Sequence, residues 1–308
     1  MSSVLPQKIA SAKPFLKWAG GKRQLLKALR ERFPEALKEG KIKNYYEPFL
    51  GSGAVFFDIV QQYKIERAFL FDVNPALVTT YRVLQAAPAA LIRRLKKIEK
   101  DYRSRPPEDR SVFFYEQRAA FNALFPWKPT QRAGTKQLET AALFIFLNKT
   151  CYNGLYRVNA SGLLNTPAGA YKNPVICDEE NLLQASRLLS VATIQLSDFS
   201  KALKNIEPAS FVYFDPPYRP VSKTAYFTAY NQSGFGDERQ QALAALYRRL
   251  DQQGQYLMLS NADSADGFFD ELYRGFSIER VPAKRMINTR VQGRGFVDEI
   301  VVTNYPRR

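Results

Sequence analysis

Two apolar runs that each close on a carboxylate dominate the chain: Arg67–Asp72 (R-A-F-L-F-D) and Ser210–Asp215 (S-F-V-Y-F-D). Runs of this length and composition predict strands buried inside a parallel sheet. A third, Gln255–Ser260, follows a helical pattern through Asp237–Asp251 and the turn glycine Gly254. Asn44–Tyr46 reads as a short strand that feeds a glycine turn and then the helical pattern Ala54–Val60. Strands alternating with helices predict a doubly wound α/β sheet. In such sheets ligands bind beyond the carboxyl ends of the strands, which is where Asp72 and Asp215 fall. Phe296–Thr303 reads as a closing strand, with Phe276–Val281 as a candidate partner in a hairpin.

The middle of the chain has another texture. Leu91–Tyr102 is a basic amphipathic helix pattern, Thr140–Leu147 is apolar and helical, and Asn148–Pro174 is rich in Asn, Gly, Tyr and Pro. These features set residues 84–181 apart as an inserted domain, with 1–83 and 182–308 forming the main one. A length of 308 residues accommodates both.

Composition narrows the chemistry. The chain has no histidine and two cysteines, Cys151 and Cys177. That argues against the usual zinc sites, against Ser–His and Cys–His nucleophiles and against an imidazole base, and no metal is expected. The 45 Lys and Arg against 29 Asp and Glu give a formal charge of +16, so a polyanionic partner is expected, nucleic acid or an anionic membrane surface. From Gln85 to Val175 there are 15 basic and 6 acidic residues, which concentrates the charge in the insert. No stretch has the length of a membrane span and Met1–Pro14 lacks a signal-like apolar block, so a cytoplasmic protein is expected.

Asp215-Pro216-Pro217-Tyr218 is the most informative tetrapeptide. Two prolines after a strand fix a rigid turn, which offers the Asp215 carboxylate and Pro216 carbonyl as neighbouring acceptors beside the Tyr218 ring. Two acceptors and a flat ring suit an exocyclic amino group on a heteroaromatic base; a plain strand terminator is the competing reading. Glu47-Pro48-Phe49-Leu50-Gly51-Ser52-Gly53 holds a Gly-x-Gly turn without the third glycine of a dinucleotide fingerprint. Asp72, at the end of the next strand, is placed to accept from ribose hydroxyls. Lys17-Trp18-Ala19-Gly20-Gly21-Lys22 invites a phosphate-loop reading, but Arg23 stands where Ser or Thr is required and the spacing is wrong.

Taken in order, these pieces resemble the Dam-type, D12-class adenine-N6 DNA methyltransferases. The resemblance covers almost the full length: Phe15–Lys22, Glu47–Gly53, Phe71–Asn74, Tyr152–Arg157, Asn165–Pro167, Tyr171–Pro174, Asp198-Phe199, Asp215–Tyr218, Ser260-Asn261 and Asp298–Tyr305. It is similar to the alpha arrangement, in which cofactor motif, recognition insert and D-P-P-Y follow one another, and to members that methylate GATC. The resemblance implies a Rossmann-like S-adenosylmethionine-dependent methyltransferase sheet with an inserted, mostly helical DNA target-recognition domain. S-adenosyl-L-methionine is the implied cofactor and double-stranded DNA the implied partner, for a nucleoid-associated monomer.

By the same resemblance, Trp18, Lys22, Glu47, Phe49, Gly51, Gly53, Asp72 and Asp215 form the cofactor site, with Asp198 and Phe199 at its adenine end. Asp215, Pro216, Pro217 and Tyr218 are the implied catalytic turn, acting on an adenine flipped out of the duplex. Asn153, Gly154, Leu155 and Arg157 are implied to enter the major groove, with a phosphate contact as the competing reading of Arg157; Tyr152 is implied to wedge into the gap left by the flipped base and Lys17 to read a guanine. Pro167 is a second candidate for a thymine methyl, while Tyr171 and Lys172 are implied phosphate contacts. Relatives often carry Arg where Lys149 stands, and Gly-Arg-Tyr where this chain has Gly169-Ala170-Tyr171. Those departures bear on the target sequence, not on the chemistry.

The rivals are an amino-methyltransferase acting on cytosine N4, RNA or a protein glutamine, a DNA-binding relative that has lost catalysis, and a basic membrane-surface protein. Relatives of the first kind more often have Ser or Asn at position 215, the intact Asp215–Tyr218 turn opposes the second, and no amphipathic anchor supports the third.

Overall fold

The computed structural model describes residues 11–20, 22–130, 133–219, 235–284 and 296–306. Its centre is a seven-stranded sheet: β1 (Asn44–Glu47), β2 (Arg67–Asp72), β3 (Ala192–Leu196), β4 (Phe211–Phe214), β5 (Tyr256–Ala262), β6 (Ser277–Lys284) and β7 (Phe296–Thr303), in spatial order β3-β2-β1-β4-β5-β7-β6. The pairs β3–β2, β2–β1, β1–β4 and β4–β5 are parallel, and β7 runs antiparallel to both β5 and β6. This is the mixed α/β, Rossmann-like sheet that the resemblance implied. The hairpin is also present, paired from Ser277↔Thr303 to Lys284↔Phe296.

The eleven helices are α1 (Leu26–Arg30), α2 (Glu35–Lys38), α3 (Ala54–Gln62), α4 (Pro75–Ala86), α5 (Pro88–Arg103), α6 (Arg110–Ala123), α7 (Thr135–Thr150), α8 (Glu179–Leu188), α9 (Phe199–Ala202), α10 (Asp237–Gln252) and α11 (Phe268–Leu272), counted among the described residues. None is long and apolar enough to cross a membrane.

Alternation along the central strands feeds two apolar cores. Tyr45, Phe211 and Tyr213 face one core with Phe56, Leu70 and Tyr81, while Tyr46, Val212 and Phe214 face the other with Leu243, Tyr247 and Phe269. A strand period of two puts successive side chains on opposite faces, so burial on both sides demands the unbroken apolar runs seen in the sequence. Leu91, Leu95, Phe114 and Phe146 of α5, α6 and α7 join the first core rather than forming one of their own. Complete burial of such side chains stabilises by roughly 1.5–3 kcal/mol each.

The strand order reverses between β1 and β4, the place where an open α/β sheet leaves a crevice at its carboxyl edge. Glu47 ends β1, Asp72 ends β2, and Asp215 follows β4. Three carboxylates from three adjacent strands therefore converge at the switch point.

Candidate active site

A cavity of about 320 Å³ opens at that point, lined by Trp18, Lys22, Glu47, Phe49, Gly51, Asp72, Asp215, Pro216, Pro217 and Tyr218 together with Asn74, Tyr156 and Phe235. Its floor is the Glu47–Gly53 turn. Gly51 has φ +48°, and a Cβ there would sit 2.8 Å from Trp18 Cδ1. Glycine lets the backbone take this turn while the indole lies against it. Gly53, at φ +66°, leaves room for Tyr81, whose hydroxyl donates to the Gly51 carbonyl at 3.2 Å.

Asp72 is fixed by the turn it faces: Oδ2 accepts from Gly51 N–H at 3.0 Å and Oδ1 from Asn74 N–H at 2.9 Å. Burial raises its carboxyl, and these backbone donors pull it back. Glu47 accepts from the Tyr45 hydroxyl at 2.7 Å and is held well above the usual carboxylate range by burial, with Asp215 and Asp72 adding to it. Phe49 packs at 5.4 Å from Phe199 and 5.6 Å from Phe235.

On the opposite wall Lys22, only 2% exposed, sends its Nζ to Asp215 Oδ1 and Glu299 Oε2, each at 3.0 Å. Nζ also donates to the Tyr218 hydroxyl at 3.2 Å, and that hydroxyl donates to Glu299 Oε1 at 2.5 Å. Burial works against the ammonium, but Asp215, Tyr218 and Glu299 outweigh it and hold Lys22 well above its ordinary value. Burial pushes Asp215 up to about 6; Lys22 opposes and Glu299 reinforces the rise. The Pro217 carbonyl is occupied by Gln240 Nε2 at 3.3 Å, which ties the turn to α10.

The expected cofactor residues are thus brought together except for three, the first being Gly53, which shapes the turn without lining the cavity. Asp198 and Phe199 do not line the cavity. Phe199 is buried behind Phe49. Asp198 caps α9, accepting from Ser200 N–H at 3.0 Å and from its hydroxyl at 2.7 Å, and pairs with Arg239.

The expected recognition residues form a second group beside it. Tyr152, Asn153, Arg157 and Pro167 are exposed, and Leu155 is half-buried. The backbone is held by Tyr152 N–H on the Pro167 carbonyl at 2.9 Å, and Asn153 adopts φ +53°. Arg157 Nε donates to Asn165 Oδ1 at 2.8 Å. Lys17 joins the two groups: its Nζ lies 3.9 Å over the Tyr171 ring and 3.3 Å from the Lys149 carbonyl. Lys172 is exposed, and its carbonyl accepts from Arg110 at 2.9 Å. Burial, with Lys17 and Arg23 nearby, lowers Lys149 to about 8.

Tyr156, Asn74, Phe235 and Glu299 were given no role from the sequence, though all but Phe235 fall in matched stretches. Tyr156 and Asn74 had a signal, since they lie inside the Tyr152–Arg157 and Phe71–Asn74 stretches, whereas Phe235 and the pairing of Glu299 with Lys22 emerge only from the fold.

The cavity fits S-adenosylmethionine in the chemistry of its lining. An indole and a phenyl ring offer faces to a sulfonium cation, and buried carboxylates offer acceptors to ribose and amino groups. Among the described residues no group of three or more His, Cys, Asp or Glu side chains could hold a metal ion.

The model of the D12 class N6 adenine-specific DNA methyltransferases matches residues 18–287. The chain is 45% identical over 294 residues to the type II methyltransferase M.MjaIII of Methanocaldococcus jannaschii, covering 95% of this chain and 99% of that protein. It is 32% identical over 290 residues to the DNA adenine methylase of Haemophilus influenzae, covering 94% and 92%, and 31% identical over 293 residues to that of Vibrio cholerae, covering 95% and 96%. The chain belongs to the D12 class of N6 adenine-specific DNA methyltransferases. It is therefore an adenine-N6 DNA methyltransferase, and membership of the family implies S-adenosylmethionine as the methyl donor.

Proposed function

We propose that the chain methylates adenine within GATC in duplex DNA, on a base flipped out of the helix into the crevice beside Asp215. The observation that carries this reading is the Asp215–Tyr218 turn, opening onto a cavity whose other walls are Trp18, Asp72 and the Gly51 turn. An adenine amino group inside a duplex cannot reach a carboxylate at the edge of a sheet, which is why flipping is part of the proposal.

Trp18, Phe49, Glu47, Asp72 and Lys22 would hold S-adenosylmethionine, which when bound supplies an electrophilic methyl on a sulfonium. The chain's own residues orient the base. Asp215 accepts one N6–H through Oδ2, since Oδ1 is engaged by Lys22. The Pro216 carbonyl accepts the other, and the Tyr218 ring, 38% exposed, stacks on the purine. Those hydrogen bonds draw the nitrogen lone pair out of conjugation with the ring. Positioning supplies most of the acceleration, with effective molarities on the order of 10⁵ M. Asp215 accepts most strongly when ionised.

Residues 84–181 are proposed to read the sequence, with Arg157 on guanine O6 and N7, Leu155 or Pro167 on a thymine methyl, and Tyr152 in the gap. Tyr171 and Lys172 would contact phosphates, and Lys17 the first guanine. Several relatives are named DNA adenine methylase, which supports adenine as the base, and the resemblance of the chain to members that methylate GATC supports the site.

The test is methyl transfer from labelled S-adenosylmethionine to three duplexes: GATC, the same site already N6-methylated on both strands, and a scrambled site. Asp215→Ala serves as the control protein. Label on the first duplex alone, absent with the variant, is the expected result. Label on the scrambled duplex as well would discard GATC and turn attention to Lys149 and Ala170.

A further inference from the structure

Glu299 has no part in the chemistry assigned above, yet it is 6% exposed and sits at the centre of the site's polar network. It lies on β7 between Ala262 of β5 and Val281 of β6, so its backbone is paired on both sides. Its two oxygens take different partners, Oε2 the Lys22 ammonium at 3.0 Å and Oε1 the Tyr218 hydroxyl at 2.5 Å. Lys22 in turn reaches Asp215 at 3.0 Å. The result is a carboxylate–ammonium–carboxylate row in which one cation serves two anions, held by three separate pieces of the chain.

We propose that Glu299 is a positioning residue for methyl transfer: it draws the Lys22 ammonium partly away from Asp215 and tethers the Tyr218 ring, leaving Asp215 a stronger acceptor for the adenine N6–H.

Left alone with Lys22, Asp215 would have its charge largely neutralised by one ion pair and would accept weakly from an amino group. A second carboxylate on the same ammonium shares that cation. The shared cation and the added negative charge both make Asp215 more basic, and acceptor strength follows basicity. The other groups facing Asp215 are Lys22 from the N-terminal turn, Tyr45 and Glu47 from β1, Tyr213 from β4 and Tyr218 beyond it. Of these, Lys22 and Tyr218 are touched directly by Glu299. The tether acts separately, fixing the one ring that the function reading above assigns to the flipped base.

The inference rests on the reading that Asp215 accepts the N6–H, so Asp215→Asn is run alongside. Single-turnover methyl transfer to saturating duplex is measured from pH 5 to 9 for the wild type, Glu299→Gln, Glu299→Asp and Asp215→Asn. Glu299→Gln keeps shape and hydrogen bonding and removes the charge. Its plateau rate is expected to fall about 10-fold or more, and the acid limb to move down by roughly half a pH unit or more. Glu299→Asp keeps the charge but shortens the reach, so its rate falls while the limb stays near the wild-type position. A Glu299→Gln enzyme with wild-type rate and limb, or one that slows with no movement of the limb, overturns the inference. If Glu299→Gln does not fold, as judged by thermal unfolding, wild-type behaviour of Glu299→Asp overturns it instead. An Asp215→Asn enzyme with the wild-type rate and the wild-type acid limb would overturn the reading that the Asp215 carboxylate accepts, a different failure.

Discussion

Trp18 and Tyr156 stack at 6.0 Å between ring centroids with an interplanar angle of 20°, although one lies on the N-terminal glycine turn and the other 138 positions later. Tyr156 and Asn74 both line the cavity, so a residue of the proposed recognition stretch is a wall of the proposed cofactor site. Tyr156→Phe, which keeps the ring, is expected to bind S-adenosylmethionine nearly as well as wild type. Tyr156→Ala is expected to weaken binding about 10-fold, the size of an aromatic pair with its packing. Calorimetric titration of the cofactor checks both.

Two glycines separate the functions of cavity and rim. An alanine Cβ at Gly51 would meet Trp18 at 2.8 Å, and one at Gly154 would meet Lys17 Cβ at 2.5 Å. Both positions have positive φ, at +48° and +66°, so each alanine adds backbone strain of roughly 1–2 kcal/mol. Gly51→Ala is expected to impair cofactor binding first. Gly154→Ala is expected to impair duplex binding with cofactor affinity kept, read by titrating each variant with each ligand.

DNA binding is expected to take a pH dependence of definite sign from Lys149, which lies beside Lys17 of the proposed recognition group. Burial and its cationic neighbours lower it to about 8, so the free protein sheds this proton between pH 7 and 9. A phosphate nearby favours the ammonium, so binding takes up a proton and affinity falls as pH rises through that range. Lys149→Arg should flatten the fall, since guanidinium does not titrate there. The salt slope of wild-type binding should shrink by about one unit across the same range. Fluorescence anisotropy at several pH values and salt concentrations measures both.

The acid side of catalysis is expected to follow Asp215. With its carboxyl pushed up to about 6 by burial, the ionised acceptor is lost as pH falls through that value. The rate of methyl transfer should drop roughly tenfold per unit below it. A rate that stays flat from pH 7 to 5 would contradict the acceptor role.

Leu95 is fully buried in the core that also holds Phe56 and Tyr81. Leu95→Ala is expected to destabilise the whole chain by about 2–5 kcal/mol rather than the helical segment alone. Urea unfolding followed by circular dichroism and by cofactor binding should show coincident transitions.

The strands that line the site were legible because they are buried on both faces. The expected Arg67–Asp72 and β2 coincide, and Ser210–Asp215 brackets β4. Edge strand β3 was not singled out: Ala192–Leu196 alternates buried and exposed positions and carries Thr and Gln, so it shows no apolar run. Helix α4 was missed for another reason. It begins at Pro75 and is capped by Asn74, directly after the Phe71–Asn74 stretch, so the motif drew the reading and the helix behind it was passed over. Among site residues, Trp18, Lys22, Asp72 and Asp215 came from motifs. Glu299 could not be found that way, because its role exists only once β7 is laid beside β5.

Strand β7 is the reversed member of the sheet, and the reversal decides which of its ends faces substrate. Glu299 is opposite Ala262, the last residue of β5, so β7 enters the sheet at the reactive edge and leaves at the far one. Lys284 of β6 and Phe296 of β7 are paired at that same edge. The reversed strand thus carries its carboxylate to the crevice from the direction opposite to β4, and pairing on both sides holds that carboxylate at the height of Lys22.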